Sequence, residues 1–329
     1  LYLALHWTAE QRFGFNFAEL GLSGFADSKR LVAVTSKDAH FSLNHALRTM
    51  GLGEQSLRTV PVDKKRRIDV KHLENTLTEL QETNDVFCVI LTAGTTSTGS
   101  VDPILPVAKI CNDLGIWLHV DAAYGFPYSL IPEWKSLFSG MELADSITWD
   151  PHKQIGVPIP SSLLFVKRKE DFKRMAIFSD YFNREGDSEP NPGLKSPPST
   201  RPFSALPIVT SIRYLGLEKV VDRLRKPLTA IQGAYKELKN YDDVELFHEP
   251  DLGILCLRIR PKETPEVQLN RLQQQIYDRV QAEGKRSISL TRLNNKIALR
   301  FVALNLKVTS EAILGTVEYL RDLAKEFQL

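Results

Sequence analysis

Ser146-Ile-Thr-Trp-Asp-Pro-His-Lys-Gln-Ile-Gly156 carries more information than any other stretch of this chain. Ile147, Thr148 and Trp149 read as a short β-run, and a proline-containing turn then presents one lysine, Lys153. Lysine is mostly a solvated surface residue, and this stretch alone says no more than that. His119-Val-Asp-Ala-Ala-Tyr124 changes the reading, because it ends another strand-like run and sets Asp121 32 residues before Lys153. In an open parallel sheet the C-terminal ends of the strands meet at one edge, where ligands bind. Asp121 and Lys153 are therefore expected to face one pocket. An acid and a lysine in one pocket suit pyridoxal phosphate (PLP): the lysine forms a Schiff base with its aldehyde, and the acid pairs with its pyridinium nitrogen.

The surrounding pattern supports such a sheet. Strands are expected at 31–35, 57–62, 86–92, 116–121, 145–149 and 163–167, with amphipathic helices near 42–51, 68–83 and 103–114. Asp102-Pro103 is a good start for the third helix, with Asp as N-cap and Pro at the first helical position. Near-continuous apolar strands alternating with helices indicate an α/β architecture, its sheet largely parallel and covered on both faces. Residues 1–30 read as the tail of a helix and a connector. Residues 179–202 break the pattern with a polar, Pro- and Gly-rich run, and a loop of that length is usually functional or disordered. A long helical stretch over 204–239 follows, then strands near 243–248, 252–260, 285–291 and 296–304 around a helix at 266–283, and a last helix from about 309. The division expected is a cofactor-binding large domain, 1–215, and a small α+β domain, 216–329.

Composition narrows the function. The chain has 329 residues, 43% hydrophobic and 25% charged, with a formal net charge of +2. Such a balance speaks against a strongly basic nucleic-acid surface, and no apolar run is long enough to span a membrane. Cys88, Cys111 and Cys256 are odd in number and lie in apolar runs, which suggests buried thiols in a reducing, cytoplasmic setting rather than disulfides or a metal site. The chain opens on Leu1 without a signal-peptide pattern and reads as a start inside a longer polypeptide. There is no Gly-x-Gly-x-x-Gly, no P-loop and no Gly-x-Ser-x-Gly elbow, so dinucleotide, nucleotide and serine-hydrolase readings lack their motifs.

Five segments together resemble the group II PLP-dependent amino-acid decarboxylases, the family of the glutamate, aromatic-L-amino-acid and cysteine-sulfinate decarboxylases. They are Asp38-Ala-His-Phe-Ser42, Thr92-Ala-Gly-Thr-Thr96, His119-Val-Asp-Ala-Ala-Tyr124, Ala144-Asp-Ser-Ile-Thr-Trp-Asp-Pro-His-Lys153 and Arg201-Pro-Phe-Ser-Ala-Leu206. The resemblance implies a fold-type I PLP enzyme, working as a homodimer or in an assembly with a chain that supplies the missing N-terminal, phosphate-binding segment. It implies that Lys153 carries the cofactor, Asp121 holds the pyridine nitrogen, His40 stacks on one ring face and Ala123 packs on the other. Thr92 would sit near the ring substituents, His152 beside the Schiff base, and Asp150 in the same turn. Tyr181 resembles the family's loop tyrosine that protonates the substrate carbon after CO2 leaves, and Arg300 the arginine that meets the substrate carboxylate. The implied reaction is decarboxylation of an L-amino acid, with a lean toward an acidic substrate drawn from Thr148–Gly156. Alternatives are an aromatic substrate, another fold-type I reaction such as transamination or lysis, and a non-catalytic subunit.

Overall fold

In a computed structural model, residues 1–178, 195, 202–262 and 264–327 are described. Two sheets organise them, one of six strands and one of four. The first contains β1 (Leu31–Ser36), β2 (Leu57–Val60), β3 (Asp85–Thr92), β4 (Trp117–Asp121), β5 (Ser146–Trp149) and β6 (Leu163–Val166), in the order β2-β1-β3-β4-β5-β6. All pairings are parallel except the last, where β6 closes the edge antiparallel to β5.

Helices cover both faces of this sheet. Leu31 and Ala33 of β1 pack with Leu3, Leu5 and Ala9 of α1 (Tyr2–Phe13) and with Leu43 and Leu47 of α3 (Ser42–Thr49); the short α2 (Phe17–Leu20) lies between those helices in sequence. Val32 and Val34 point the other way, to Leu73 and Leu77 of α4 (Val70–Thr83) and to Ile104, Val107 and Cys111 of α5 (Ile104–Leu114). Adjacent residues of one strand therefore enter different cores, and this is why the strands read as unbroken apolar runs. All three cysteines are free and buried.

Two local expectations change. Asp102 does not cap α5: its Oδ1 accepts the Ile68 N–H (2.7 Å) and its Oδ2 the Thr92 N–H (2.8 Å), so the carboxylate ties the segment at Ile68 to the end of β3 instead. The helical stretch at 204–239 is two helices, α7 (Ala205–Leu215) and α8 (Leu217–Leu238), separated by Gly216 at φ 77, a left-handed value that glycine adopts without a Cβ clash. The four-residue α6 (Pro151–Gln154) comes before them, directly after β5.

The second sheet is antiparallel: β7 (Val244–Leu246), β8 (Ile254–Ile259), β10 (Lys296–Val302), β9 (Ser289–Leu293). Leu255, Leu257 and Ile259 of β8 bury against α9 (Glu266–Glu283), α10 (Ser310–Glu326) and the second half of α8. Ile254 and Cys256, on the opposite face of the same strand, join the core of the first sheet, as do Val220, Leu224 and Leu228 from the first half of α8. The two regions thus share a continuous apolar contact. Among the described residues no helix is long and apolar enough to cross a membrane.

Candidate active site

Strand register builds the site. Thr92 on β3 lies opposite Asp121 on β4, and Asp121 lies opposite Thr148 on β5. Three polar residues thus stand side by side at the C-terminal ends of three adjacent parallel strands, where parallel-sheet ligands bind. The loop after β1 adds His40 from one side, and the turn after β5 adds Asp150 and Lys153 from the other. A cleft of about 690 Å³ is lined by His40, Thr92, Asp121, Ala123, Asp150 and Lys153 together. That volume falls in the range of small-molecule sites.

The backbone fixes these positions closely. Ala122 N–H donates to Thr148 O (3.1 Å) and Asp150 N–H to Ala123 O (3.1 Å), which ties the turn after β4 to the end of β5. Gly125 is needed for this approach, since a Cβ there would stand 2.0 Å from the Ala93 carbonyl oxygen. Pro151 opens α6 at its first turn, where its missing N–H costs nothing.

Each side chain has a distinct set of partners. Lys153 Nζ lies 3.1 Å from Asp150 Oδ2, and Asp150 Oδ1 accepts the Ser162 hydroxyl at 2.6 Å. Asp121 Oδ1 accepts from Ala123 N–H (3.1 Å) and Thr148 Oγ1 (3.3 Å). Thr92 is 4% exposed, and its Oγ1 is buried with no partner. His40 Nδ1 bonds the Ser42 hydroxyl at 2.9 Å.

Two residues singled out from the sequence stand apart from this set. His152 is off the cleft wall, its Nδ1 2.7 Å from the Ser161 carbonyl and its Nε2 4.0 Å from Asp150 Oδ2. Arg300, on β10, donates from Nη1 to the Ser289 hydroxyl (3.2 Å) and has a buried Nε without a partner. Burial lowers its pKa, and it acts electrostatically on the Tyr124 phenol, which does line the cleft. Tyr181 lies outside the described residues.

The cleft also contains residues that sequence reasoning did not single out. His119 lies on its wall, with Nδ1 2.8 Å from Ser146 Oγ, which also accepts Trp117 Nε1–H (2.9 Å). Burial pushes the His119 pKa down to about 3, so the ring is neutral at physiological pH. The wall continues through Ser42, His45 and Thr49 of α3 to Leu1 and Tyr2 at the start of α1. His119 was legible as part of the quoted motif; His45 and Tyr2 carried no signal of their own, because only the packing of α1 and α3 brings them to the edge.

These features fit PLP on chemical grounds. There is an amine on a rigid turn, a carboxylate whose Oδ1 is already held by two donors, a small residue beside it, an imidazole across the cleft and an unpaired buried hydroxyl. Among the described residues no cluster of His, Cys, Asp or Glu is arranged to hold a metal.

Comparison with known proteins agrees with this chemistry. Residues 9–260 match the pyridoxal-dependent decarboxylase conserved domain. The chain is 31% identical over 315 residues to the L-2,4-diaminobutyrate decarboxylase of Acinetobacter baumannii, covering 94% of this chain and 62% of that protein. It is 30% identical over 305 residues to the aromatic-L-amino-acid decarboxylase of Rattus norvegicus, covering 90% and 61%. The chain therefore spans about three fifths of the length of these relatives. The crystal structure of mouse CSAD in its apo form superposes with a TM-score of 0.88 at 25% identity, over 98% of this chain and 69% of that one. A parallel sheet edge that carries this amine and carboxylate, in a chain matched from Ala9 to Arg260, makes the protein a member of the pyridoxal-dependent decarboxylase family.

Proposed function

We propose that this chain is the cofactor-binding part of a PLP-dependent enzyme that converts an L-amino acid to the corresponding amine and CO2. The observation that carries the proposal is the register Thr92–Asp121–Thr148 with Lys153 on the next turn, which brings the cofactor's two anchoring groups to one cleft. When bound, PLP supplies an aldehyde for the amine and a ring that withdraws electrons from the bonds at the substrate's α-carbon. Lys153 is the amine, presented by α6 and oriented by Asp150. Asp121 Oδ2 is left for the pyridine nitrogen, since Ala123 N–H and Thr148 Oγ1 already hold Oδ1. His40 and Ala123 bound the two ring faces, and the Thr92 hydroxyl completes the wall beside it. Arg300 behind Tyr124 is our candidate for the substrate carboxylate, and His152 supports the turn through Ser161.

A row of exposed apolar residues, Phe203, Leu206, Val209, Tyr214 and Leu217, crosses α7 and the start of α8. Patches of this kind mark association surfaces, and we place a homodimer contact there. Three free, buried thiols suit a reducing compartment, and we place the protein in the cytoplasm. For the domains, we keep residues 1–215 as the cofactor-binding part and 216–329 as the smaller one.

Two measurements test the reading. Incubation with PLP, borohydride reduction and peptide mapping should place the phosphopyridoxyl group on Lys153; label on another lysine would overturn the assignment. A substrate panel of acidic, basic and aromatic L-amino acids, assayed for CO2 and amine, then reads the side-chain class. Acidic members come first because of Thr148–Gly156, and 2,4-diaminobutyrate joins them because a relative is named for it. Keto acid in place of CO2 would reassign the reaction to transamination.

A further inference from the structure

The loop that carries His40 is held from below by a buried arginine that no part of the proposed chemistry uses. Arg66 is 6% exposed and lies on the turn after β2. Its Nη2 meets Asp38, two residues before His40, at 2.6 Å. Its Nη1 donates to Asn294 Oδ1 at 3.0 Å, and Asn294 sits at the tip of the β9–β10 hairpin in the other sheet. One guanidinium therefore joins the His40 loop to the second region of the molecule.

The turn is built to hold that guanidinium in place. Asp63 Oδ1 accepts the N–H groups of Lys65 (2.8 Å) and Arg67 (3.0 Å), and Arg66 N–H donates to Asp63 O (3.1 Å). Arg66 adopts φ 64, a left-handed conformation that side-chain-bearing residues seldom take. Arg67 fastens the same turn to the second region through two bonds to Asp251. A solvated arginine would need none of this. A residue in an unfavourable backbone region, buried, with both terminal nitrogens committed to different elements, is over-determined by its surroundings, and strain of that sort clusters near functional sites.

We propose that Arg66 is a positioning residue for His40, and that Asn294 couples the His40 loop to the second region. The proposal rests on the reading of the cleft as a PLP site with His40 against the ring. Asp38 is the link: pinned by Arg66, it fixes the loop between Ser36 and Ser42, and so the height of the imidazole over the cleft. Without the guanidinium, Asp38 seeks solvent and the loop relaxes, while Lys153 on α6 and Asp121 on β4 stay in place.

The test uses the double variant D38N/R66G. Glycine accepts φ 64 freely, and asparagine removes the buried unpaired charge, so the variant should fold. Its affinity for PLP should fall roughly tenfold, the scale of one lost hydrogen-bonded contact, and the visible circular dichroism of the bound cofactor should weaken. In a His40→Ala background the same two substitutions should change neither quantity. A D38N/R66G protein with wild-type affinity and dichroism would overturn the proposal, as would an equal further loss in the His40→Ala background, which would mean a general structural effect. Asn294→Ala should reproduce part of the affinity loss, and no change there would remove the coupling to the second region. If the wild-type chain takes up no PLP on Lys153, the reading of the cleft fails and this proposal fails with it.

Discussion

Arg258 in the second region and Thr92 at the sheet edge are both buried polar residues, and they have opposite bonding. Arg258 has no exposed side-chain surface, and its Nε, Nη1 and Nη2 are all engaged: by Glu245 (2.6 Å) and by both oxygens of Glu266 (2.9 Å each). Lys296 closes the group from the far side, 3.1 Å from Glu245. Thr92, almost as deeply buried, leaves its hydroxyl without a partner. Burying a polar group unpaired costs on the order of 1–3 kcal/mol. Arg258 is satisfied within the fold, whereas the open Thr92 hydroxyl, at the wall of the cleft, supports the cofactor contact proposed for it.

The largest test of that contrast is Asp121→Asn. An amide cannot hold a ring N–H by charge, so activity should fall by roughly 10²-fold or more, the scale of a lost preorganised electrostatic contact. The melting temperature should move little, because Asn can still accept from Ala123 and Thr148. Near-normal turnover would show that Asp121 does not serve the cofactor. Arg258→Met should do the reverse: stability falls by about 3 kcal/mol, at the low end for a broken buried pair because Glu245 and Glu266 can still reach water. Denaturant unfolding reads the loss, and cofactor affinity should stay as it was. A change in affinity without a change in stability would break the distinction drawn here.

Thr92→Val is a smaller change that sharpens the same point. It removes a buried hydroxyl that bonds nothing in the protein, so stability should hold or rise by about 1 kcal/mol, while PLP affinity drops by up to tenfold. A last test is a change in pH dependence. Burial raises the Asp102 pKa to about 7, well above its ordinary value of 3.8. A raised acid contributes stability that is full below its unfolded value and is lost as pH rises through its folded value, here from about 4 to about 7. The buried His119, His6 and His248 have depressed pKa values, to about 3, 4 and 4, and act in the opposite sense: their contribution is present above 6.5 and lost as pH falls. In Asp102→Asn the declining acid contribution is absent. The melting-temperature deficit of the variant relative to wild type should therefore be larger at pH 5 than at pH 8. A deficit independent of pH would show that Asp102 does not titrate in this range.

Much of the site could be read before the structure was known. Apolar runs of five to eight residues interrupted by helical periods place strands ending at Thr92, Asp121 and Trp149, and ligands gather at that end of a parallel sheet. Lys153 and Asp121 follow from this rule, and residues 92–96 and 38–42 from their motifs. Helix ends were less legible. Asp102-Pro103 has the local chemistry of a cap, yet the carboxylate spans to Ile68 and Thr92, because the segment after β2 and the end of β3 offer better-placed N–H donors. Gly216 sits inside a long amphipathic stretch, and only its backbone, at φ 77, divides α7 from α8.

Local periodicity and residue chemistry depend on neighbours within a few positions, and they were enough for the α/β alternation, the buried thiols and the acid–lysine pair. What packs against what depends on residues far apart in the chain. The bond from Arg66 to Asn294 spans 228 residues, the withdrawal of His152 toward Ser161 depends on how the chain returns after α6, and the alternation of β8 between two cores needs both sheets in place. No local pattern encodes those contacts, because each is decided by which complementary group the assembled fold brings within about 3 Å, the reach of a hydrogen bond.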